Sequence, residues 1–398
     1  MKIAIVIEHF NPARGGAETY TADLVSWLAS HRHDVTVFTQ DWAAEPTGVT
    51  MVTVPVKGIS AARRYLSFST EASQLVSEGA FEVVHSMARI LRQNIFHPHG
   101  GVMKASLEKS LDSSSSGIER GFRRAARWLN TKQDILLELE NIIYTEEPPP
   151  RFVAVSDMVA RDMVRYYGVG EDRIEVIHNG VDTARFTPEN RDGLGREMRG
   201  TLGIGQEETV LLLVAHNYRL KGAQIFIRVL SELKKRAHKG LKGVIAGSEH
   251  GAQGVYPRLA AKMGLADDII FHGSVADIER FYAAADIYLH PTYYDPMSLV
   301  VLEALSSGLP VVTTRRNGCS EIITEGVEGF AVEEPGDIAG LTAAVELLLD
   351  EPRRRESALA ARALAEKYPL ERNFQAIGEL YKKAAAEPMP PLNITRGD

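Results

Sequence analysis

One cysteine, Cys319, occurs in 398 residues, which excludes an internal disulfide and a cysteine-based zinc centre. A lone thiol suits a reducing cytoplasm. No apolar run reaches the length of about 18 residues that a membrane-spanning helix needs. The opening run Ile3-Ala4-Ile5-Val6-Ile7 stops at Glu8 and His9, before the core of a signal peptide can form. Positive charge is not in excess either. With 45 Lys and Arg against 52 Asp and Glu, the formal net charge is −7, so no nucleic-acid partner is expected. Attraction to an anionic partner must therefore be local.

What is present is a long alternation of short β-branched runs with helix-like stretches. Strands are predicted at 2–8, 34–39, 50–56, 81–86, 94–97, 151–155 and 173–177, then at 209–215, 241–247, 268–272, 286–290, 310–314 and 328–332. Many are apolar throughout, the pattern of parallel strands buried on both faces. Intervening stretches such as 17–31 and 222–238 are long enough for crossover helices. Two such series make two doubly wound domains. The join is expected near 178–205, where the turn His178-Asn179-Gly180-Val181-Asp182 leads into a stretch with Pro188, Gly193, Gly200 and Gly203.

Three segments carry the polar chemistry. Gly15-Gly16 opens a helix after the first strand, where backbone amides can approach a phosphate or sugar. It lacks the spacing of the dinucleotide fingerprint, which counts against a nicotinamide oxidoreductase. A plain tight turn explains the pair equally well. The second segment, Tyr294-Asp295-Pro296-Met297-Ser298-Leu299 and onward to Glu303, leaves the C-terminal end of a predicted strand, where ligands bind in this architecture. Pro296 can lead into a helix whose first amides, those of Met297, Ser298 and Leu299, face an anion. Glu303 lies about six residues on, roughly 9 Å along the axis. A sugar at Asp295, a diphosphate at the helix start and a ribose at Glu303 fit that spacing. The plainer alternative makes Asp295 a helix cap and Glu303 a solvated residue. The apolar neighbours Val300, Val301, Leu302, Ala304 and Leu305 speak against it, because an acid among them needs a partner. The third segment, His216 to Gly222, again joins strand to helix. Its Arg219 and Lys221 can clamp a diphosphate, or simply be solvated. His97 and His99 end a strand without further ligands nearby and make a poor metal site. His99 can hydrogen-bond a sugar hydroxyl.

A fourth feature is local charge. Arg120, Arg123, Arg124 and Arg127 fall on one face of a helix predicted at 118–132, with Ile118, Phe122, Ala125, Ala126 and Leu129 opposite and Trp128 between. An anionic membrane surface or a lipid-linked acceptor is the expected partner. Packing of the apolar face on its own domain, with solvated arginines, is the alternative.

Taken together, Gly15-Gly16, the Ile177-to-Asp182 turn with Phe186, Lys221-Gly222 and the Asp295-to-Glu303 segment resemble glycosyltransferase family four over nearly the whole chain. The resemblance implies an α/β GT-B fold, two doubly wound Rossmann-like domains facing a central cleft. It implies an acceptor-side domain over 1–185, rejoined by a last helix at 370–386, and a nucleotide-sugar domain over 186–369. Glu303 would hold the ribose and Asp295 the donor sugar, with the amides of Met297, Ser298 and Leu299 on the phosphates. Lys221 and Arg219 would neutralise the diphosphate, with Gly15, Gly16 and His99 close to the donor and His99, Lys221 and Asp295 in the catalytic set. The family's first acid is usually glutamate, and its Arg and Lys are spaced differently. Within the family, residues 38–42 and 54–57 look like the bacterial lipopolysaccharide-core glucosyltransferases. A retaining hexosyl transfer follows, from UDP-glucose as co-substrate to a lipid-linked glycan hydroxyl, with no metal and no other cofactor, at the inner face of the inner membrane. No Asp-x-Asp pair lies near the predicted site. Alternatives are a GDP-mannose-dependent mannosyltransferase, a non-hydrolysing sugar-nucleotide epimerase and a non-catalytic sugar-nucleotide-binding protein.

Overall fold

The computed structural model of the chain describes residues 1–113, 121, 130–247 and 254–389. The chain divides into two units, Met1–His178 with Asn373–Asp398, and Asn179–Arg372. The division falls seven residues before the expected join at 185 and 186. The turn after His178 belongs to the second unit because that unit holds its backbone. Asn179 Nδ2 donates to the Met297 carbonyl at 2.8 Å, and Val181 N–H donates to the Tyr368 carbonyl at 2.9 Å.

The first unit contains a parallel sheet of seven strands. Across it lie Val49–Thr53, Asp34–Thr39, Lys2–Val6, Val83–Ser86, Ile95–Phe96, Arg151–Ala154 and Ile174–Val176. Ile3, Ala4, Ile5 and Val6 are all fully buried, so both faces are covered and the strand reads as an unbroken apolar run. A short parallel pair, His9–Phe10 with Asp41–Trp42, extends two of these strands. The helix Leu370–Ala385 enters this unit from Asn373 onward, where Asn373 Oδ1 accepts from Tyr20 Oη at 2.8 Å and Tyr381 Oη lies 2.7 Å from His85 Nδ1.

The second unit contains a parallel sheet of six strands, ordered Ile269–Gly273, Leu241–Ala246, Thr209–Val214, Ile287–His290, Val311–Thr314 and Gly329–Val332. In chain order this is the 3-2-1-4-5-6 arrangement of a doubly wound fold. The helices Ala223–Lys235 and Ile338–Leu349 bury Phe226, Leu230, Leu233, Leu341, Val345 and Leu348 against Leu211, Leu213, Ile245 and Leu289.

The stretch expected to hold the join contains regular structure. It holds the helix Leu194–Leu202, whose Gly195 lies so close to the chain at Ala283 that a Cβ would sit 2.3 Å from that carbonyl oxygen. The helix also carries the buried Arg199, whose guanidinium meets Asp286 Oδ2 at 2.6 Å. Asp286 accepts in addition from Arg191 at 2.5 Å and from Val210 N–H at 2.7 Å. Replacing Asp286 with Ala leaves Arg199 buried without its counter-ion. It should lower the unfolding free energy of the second unit by about 3 kcal/mol, measured by chemical denaturation.

Candidate active site

At the switch point of a doubly wound sheet, the loops leaving the first and fourth strands diverge and open a crevice. In the second unit those loops carry Lys221 and Asp295. They are tied together, since Tyr293 N–H donates to the Leu220 carbonyl at 2.8 Å and Thr292 Oγ1 donates to the same oxygen at 3.1 Å. Gly222 permits this approach. Its φ is +79°, and a Cβ there would stand 2.0 Å from the Pro291 carbonyl oxygen.

The close approach brings Lys221 Nζ to 2.5 Å from Asp295 Oδ2, while His290 Nε2 stands 3.0 Å from the same oxygen. An ionised carboxylate only accepts, so His290 carries its proton on Nε2. Its Nδ1 then accepts from Tyr288 Oη at 3.4 Å. Burial opposes the charge on Asp295, but the Lys221 ammonium and the His290 N–H outweigh it and hold the carboxyl well below its usual range. Burial pushes His290 down more than Asp295 raises it, so the ring is neutral.

The Asp295 backbone is fixed from its other side. Its N–H donates to the Arg316 carbonyl at 3.0 Å, and its carbonyl accepts from Gly318 N–H at 2.9 Å. This bridge keeps the chain out of helical conformation, so Asp295 caps nothing and Pro296 does not open the helix. The helix runs Leu299–Ser306 with Ser298 as its N-cap. Of the three amides expected in its first turn only that of Leu299 lies within the helix, and those of Met297 and Ser298 precede it. Asn179 holds the Met297 carbonyl at 2.8 Å. In a trans peptide C=O and N–H point to opposite sides, so this contact turns the Ser298 N–H away from Asn179.

Further along the helix, Glu303 is half-buried, and its Oε2 accepts from Tyr282 Oη at 2.7 Å. Burial pushes the Glu303 carboxyl up to about 6, while Tyr282 and Arg185 draw it back. Arg185 pairs with Glu279 at 2.7 Å and lies 5.0 Å over the Phe186 ring. Glu303 is therefore not a solvated helix residue. Arg219 is exposed and makes no ion pair among the described residues, in contrast to Lys221.

In the first unit Gly15 is the N-cap of the helix Gly16–Ser30. Its φ of 168° is extended backbone that any residue adopts, so the glycine pair answers no conformational demand. His97 is buried and His99 half-buried, with their rings stacked 4.1 Å apart and Tyr20 4.2 Å from His99. His85 Nε2 lies 3.1 Å from His97 Nδ1. Burial pushes both His85 and His99 down to about 3, and His97 also well down. His97 is thus the middle one of three neutral rings.

Sequence reasoning missed His290, Tyr282 and the Arg316–Gly318 loop, and it gave Arg185 and Asn179 no part in the site. A histidine closing a strand five residues before Asp295 was a usable signal, whereas Tyr282, 21 residues before Glu303, gave none. Arg120, Arg123, Arg124 and Arg127 lie outside the described residues. The helix predicted over 118–132 does not extend to its expected end, because Asn130 caps a separate helix, Thr131–Thr145. Among the described residues no helix is long and apolar enough to cross a membrane.

The raised Glu303 value has a stability consequence. An acid whose folded pKa exceeds its unfolded one favours folding most below the unfolded value, and that contribution is lost as pH rises through the folded value. Between the ordinary 4.5 and about 6 the loss is about 2 kcal/mol. Glu303→Gln should therefore gain about that much stability over wild type between pH 4 and pH 7. Parallel denaturation curves at the two pH values would contradict the assignment.

Residues 14–185 match the family described as Glycosyltransferase Family 4, and residues 196–368 that described as Glycosyl transferases group 1. The chain is 28% identical to the D-inositol 3-phosphate glycosyltransferase of Acidothermus cellulolyticus, over 97% of this chain and 91% of that one. It is 23% identical to the lipopolysaccharide glucosyltransferase WaaG of Escherichia coli, over 81% and 82%. Among solved structures it resembles that of WaaG with a TM-score of 0.80 and 21% identity, covering 95% of this chain and 99% of the other. Anabaena Alr3699/HepE in complex with UDP and glucose gives a TM-score of 0.72 and 18% identity, covering 96% and 99%. Two family matches that between them take in every strand of the second sheet and all but one of the first, together with relatives aligned along most of the chain, make this protein a hexosyltransferase of glycosyltransferase family four with the GT-B fold.

Proposed function

We propose that the chain transfers glucose from UDP-glucose, with retention at the anomeric carbon, to a hydroxyl of a lipid-linked glycan of the lipopolysaccharide-core kind. The observation that carries this reading is the Lys221–Asp295 contact of 2.5 Å at the switch point, just before the start of a helix that bears Glu303. Glu303 then accepts from the ribose hydroxyls, and the Ser298 and Leu299 amides meet the diphosphate. Lys221 is shared. As the diphosphate draws its ammonium, Asp295 loses part of its cation and accepts hydroxyls of the donor sugar, with His290 still donating. Catalysis is then positioning plus stabilisation of charge on the leaving diphosphate, and fixed cations and amides supply both without a metal. His99, neutral and half-buried, donates to or accepts from a sugar hydroxyl. Support for glucose comes from the similarity to WaaG, a lipopolysaccharide glucosyltransferase, and to the Anabaena protein in complex with UDP and glucose.

A second acceptor class has specific support. The relative aligned over 97% of this chain is a D-inositol 3-phosphate glycosyltransferase, which favours a phosphorylated cyclitol. Nucleotide release assays with each acceptor decide between them. Turnover is expected with UDP-glucose and not with GDP-mannose, and should persist in EDTA. Dependence on GDP-mannose, or activity lost in EDTA and restored by a divalent ion, would overturn the donor or the metal-free reading respectively.

Membrane contact rests on the arginines at 120, 123, 124 and 127, each worth about 1 kcal/mol near an anionic surface. Changing Arg120, Arg123, Arg124 and Arg127 to Gln should abolish salt-sensitive binding to anionic liposomes and leave donor binding intact. A wild-type protein that ignores such liposomes at low salt would end the membrane reading.

A further inference from the structure

Polar N-cap residues in this chain generally close their own helices. Ser60 accepts from Arg63 N–H at 3.2 Å, Ser156 from Val159 N–H at 3.3 Å, Asp337 from Gly340 N–H at 2.8 Å and Asp350 from Arg353 N–H at 3.1 Å. Ser298, the N-cap of Leu299–Ser306, does not do this. The residue is 3% exposed, and among the described residues its Oγ has no hydrogen-bond partner. Its backbone carbonyl is meanwhile fully occupied, accepting from Val301 N–H at 3.2 Å, Leu302 N–H at 3.3 Å and Cys319 Sγ at 3.3 Å. The main chain is thus fixed while the side chain is idle. A buried hydroxyl in that condition is destabilising, and such groups are rare in folded proteins unless something else completes them.

We propose that the Ser298 hydroxyl donates a hydrogen bond to a phosphoryl oxygen of the donor diphosphate, a side-chain role added to that of its amide. The inference rests on the donor reading above. A phosphoryl oxygen accepts and does not donate, so the hydroxyl proton is the group that the ligand lacks. Asp295, three residues before, already has two donors on one oxygen and does not need it. Asn179 turns the Ser298 N–H away from itself through the Met297 carbonyl, which fixes the peptide that carries the hydroxyl. An O–H bond to an anionic oxygen is short and strong, and it strengthens as negative charge grows on the leaving group.

The test is calorimetric titration of wild type and Ser298→Ala with UDP and with uridine, alongside melting of the unliganded proteins. Loss of a hydrogen bond to a charged group should weaken UDP binding by roughly ten-fold or more. Uridine, which has no phosphate, should bind both proteins alike. The unliganded variant should melt at the wild-type temperature or above it, because an unpartnered group is removed and no cap is lost. Ser298→Thr, which keeps a hydroxyl, should recover UDP affinity. Equal UDP affinity for wild type and Ser298→Ala overturns the inference and leaves the donor reading standing. A lowered melting temperature with equal losses for UDP and uridine would show a structural role and also overturn it. If wild type binds neither UDP nor GDP, the donor reading falls and this inference falls with it; if it binds GDP alone, GDP and guanosine replace the uridine pair.

Discussion

The approach of Lys221 to Asp295 is the contact on which the second unit's site depends. A carboxylate this buried would take up a proton without a counter-charge, since desolvation alone costs it several kcal/mol. The ammonium at 2.5 Å and the His290 N–H at 3.0 Å reverse that balance. The lysine contact requires two loops to run against each other at the ends of neighbouring strands, and only glycine at position 222 allows them to come so close. The charge pair and the backbone geometry are therefore one constraint. Any anion that drew Lys221 away would weaken the support of Asp295 as well, since the two share one contact.

Much of the fold could be read from the chain because parallel strands buried on both faces leave an unambiguous apolar run. Each predicted strand, from 2–8 to 328–332, overlaps a strand of one of the two large sheets. The division between the units falls at 178 and 179, within the expected 178–205, but the helix inside that stretch was not legible, for a physical reason. Gly195 and Gly200 depress helix propensity, and a chain containing them reads as loop. The helix Leu194–Leu202 forms anyway, because Gly195 permits close packing at Ala283 and Arg199 finds Asp286. Tertiary contact overrides local preference there, and neither partner is near in sequence.

The site was legible in part for the same kind of reason. Asp295, Ser298 and Glu303 fall within one strand-to-helix junction, so spacing alone places them together. Lys221 announced itself by a glycine at the start of the next helix. What spacing could not give was the layer around them. Tyr282 reaches Glu303 from a different helix, Arg185 acts on it from the turn after Asn179, and Asn179 reaches across the chain to the Met297 carbonyl. Arg219, two residues from Lys221 and alike in charge, is exposed, because a loop passing a strand end does not present its neighbouring side chains equally.

Burial governs the polar groups of both units, and the first unit too pairs a buried acid with a cation, Glu140 with Arg89 at 3.1 Å. In the second unit buried acids are kept near cations, Lys221 beside Asp295, Arg199 and Arg191 on Asp286, and Arg185 near Glu303. In the first unit the three histidines 85, 97 and 99 are held neutral by burial and by one another, since a charge on any of them would raise the cost of charge on the next. Neutral rings can hydrogen-bond uncharged hydroxyls without adding a net charge that a sugar cannot answer. Fixed charges are better suited to a diphosphate, whose own charge offsets their desolvation.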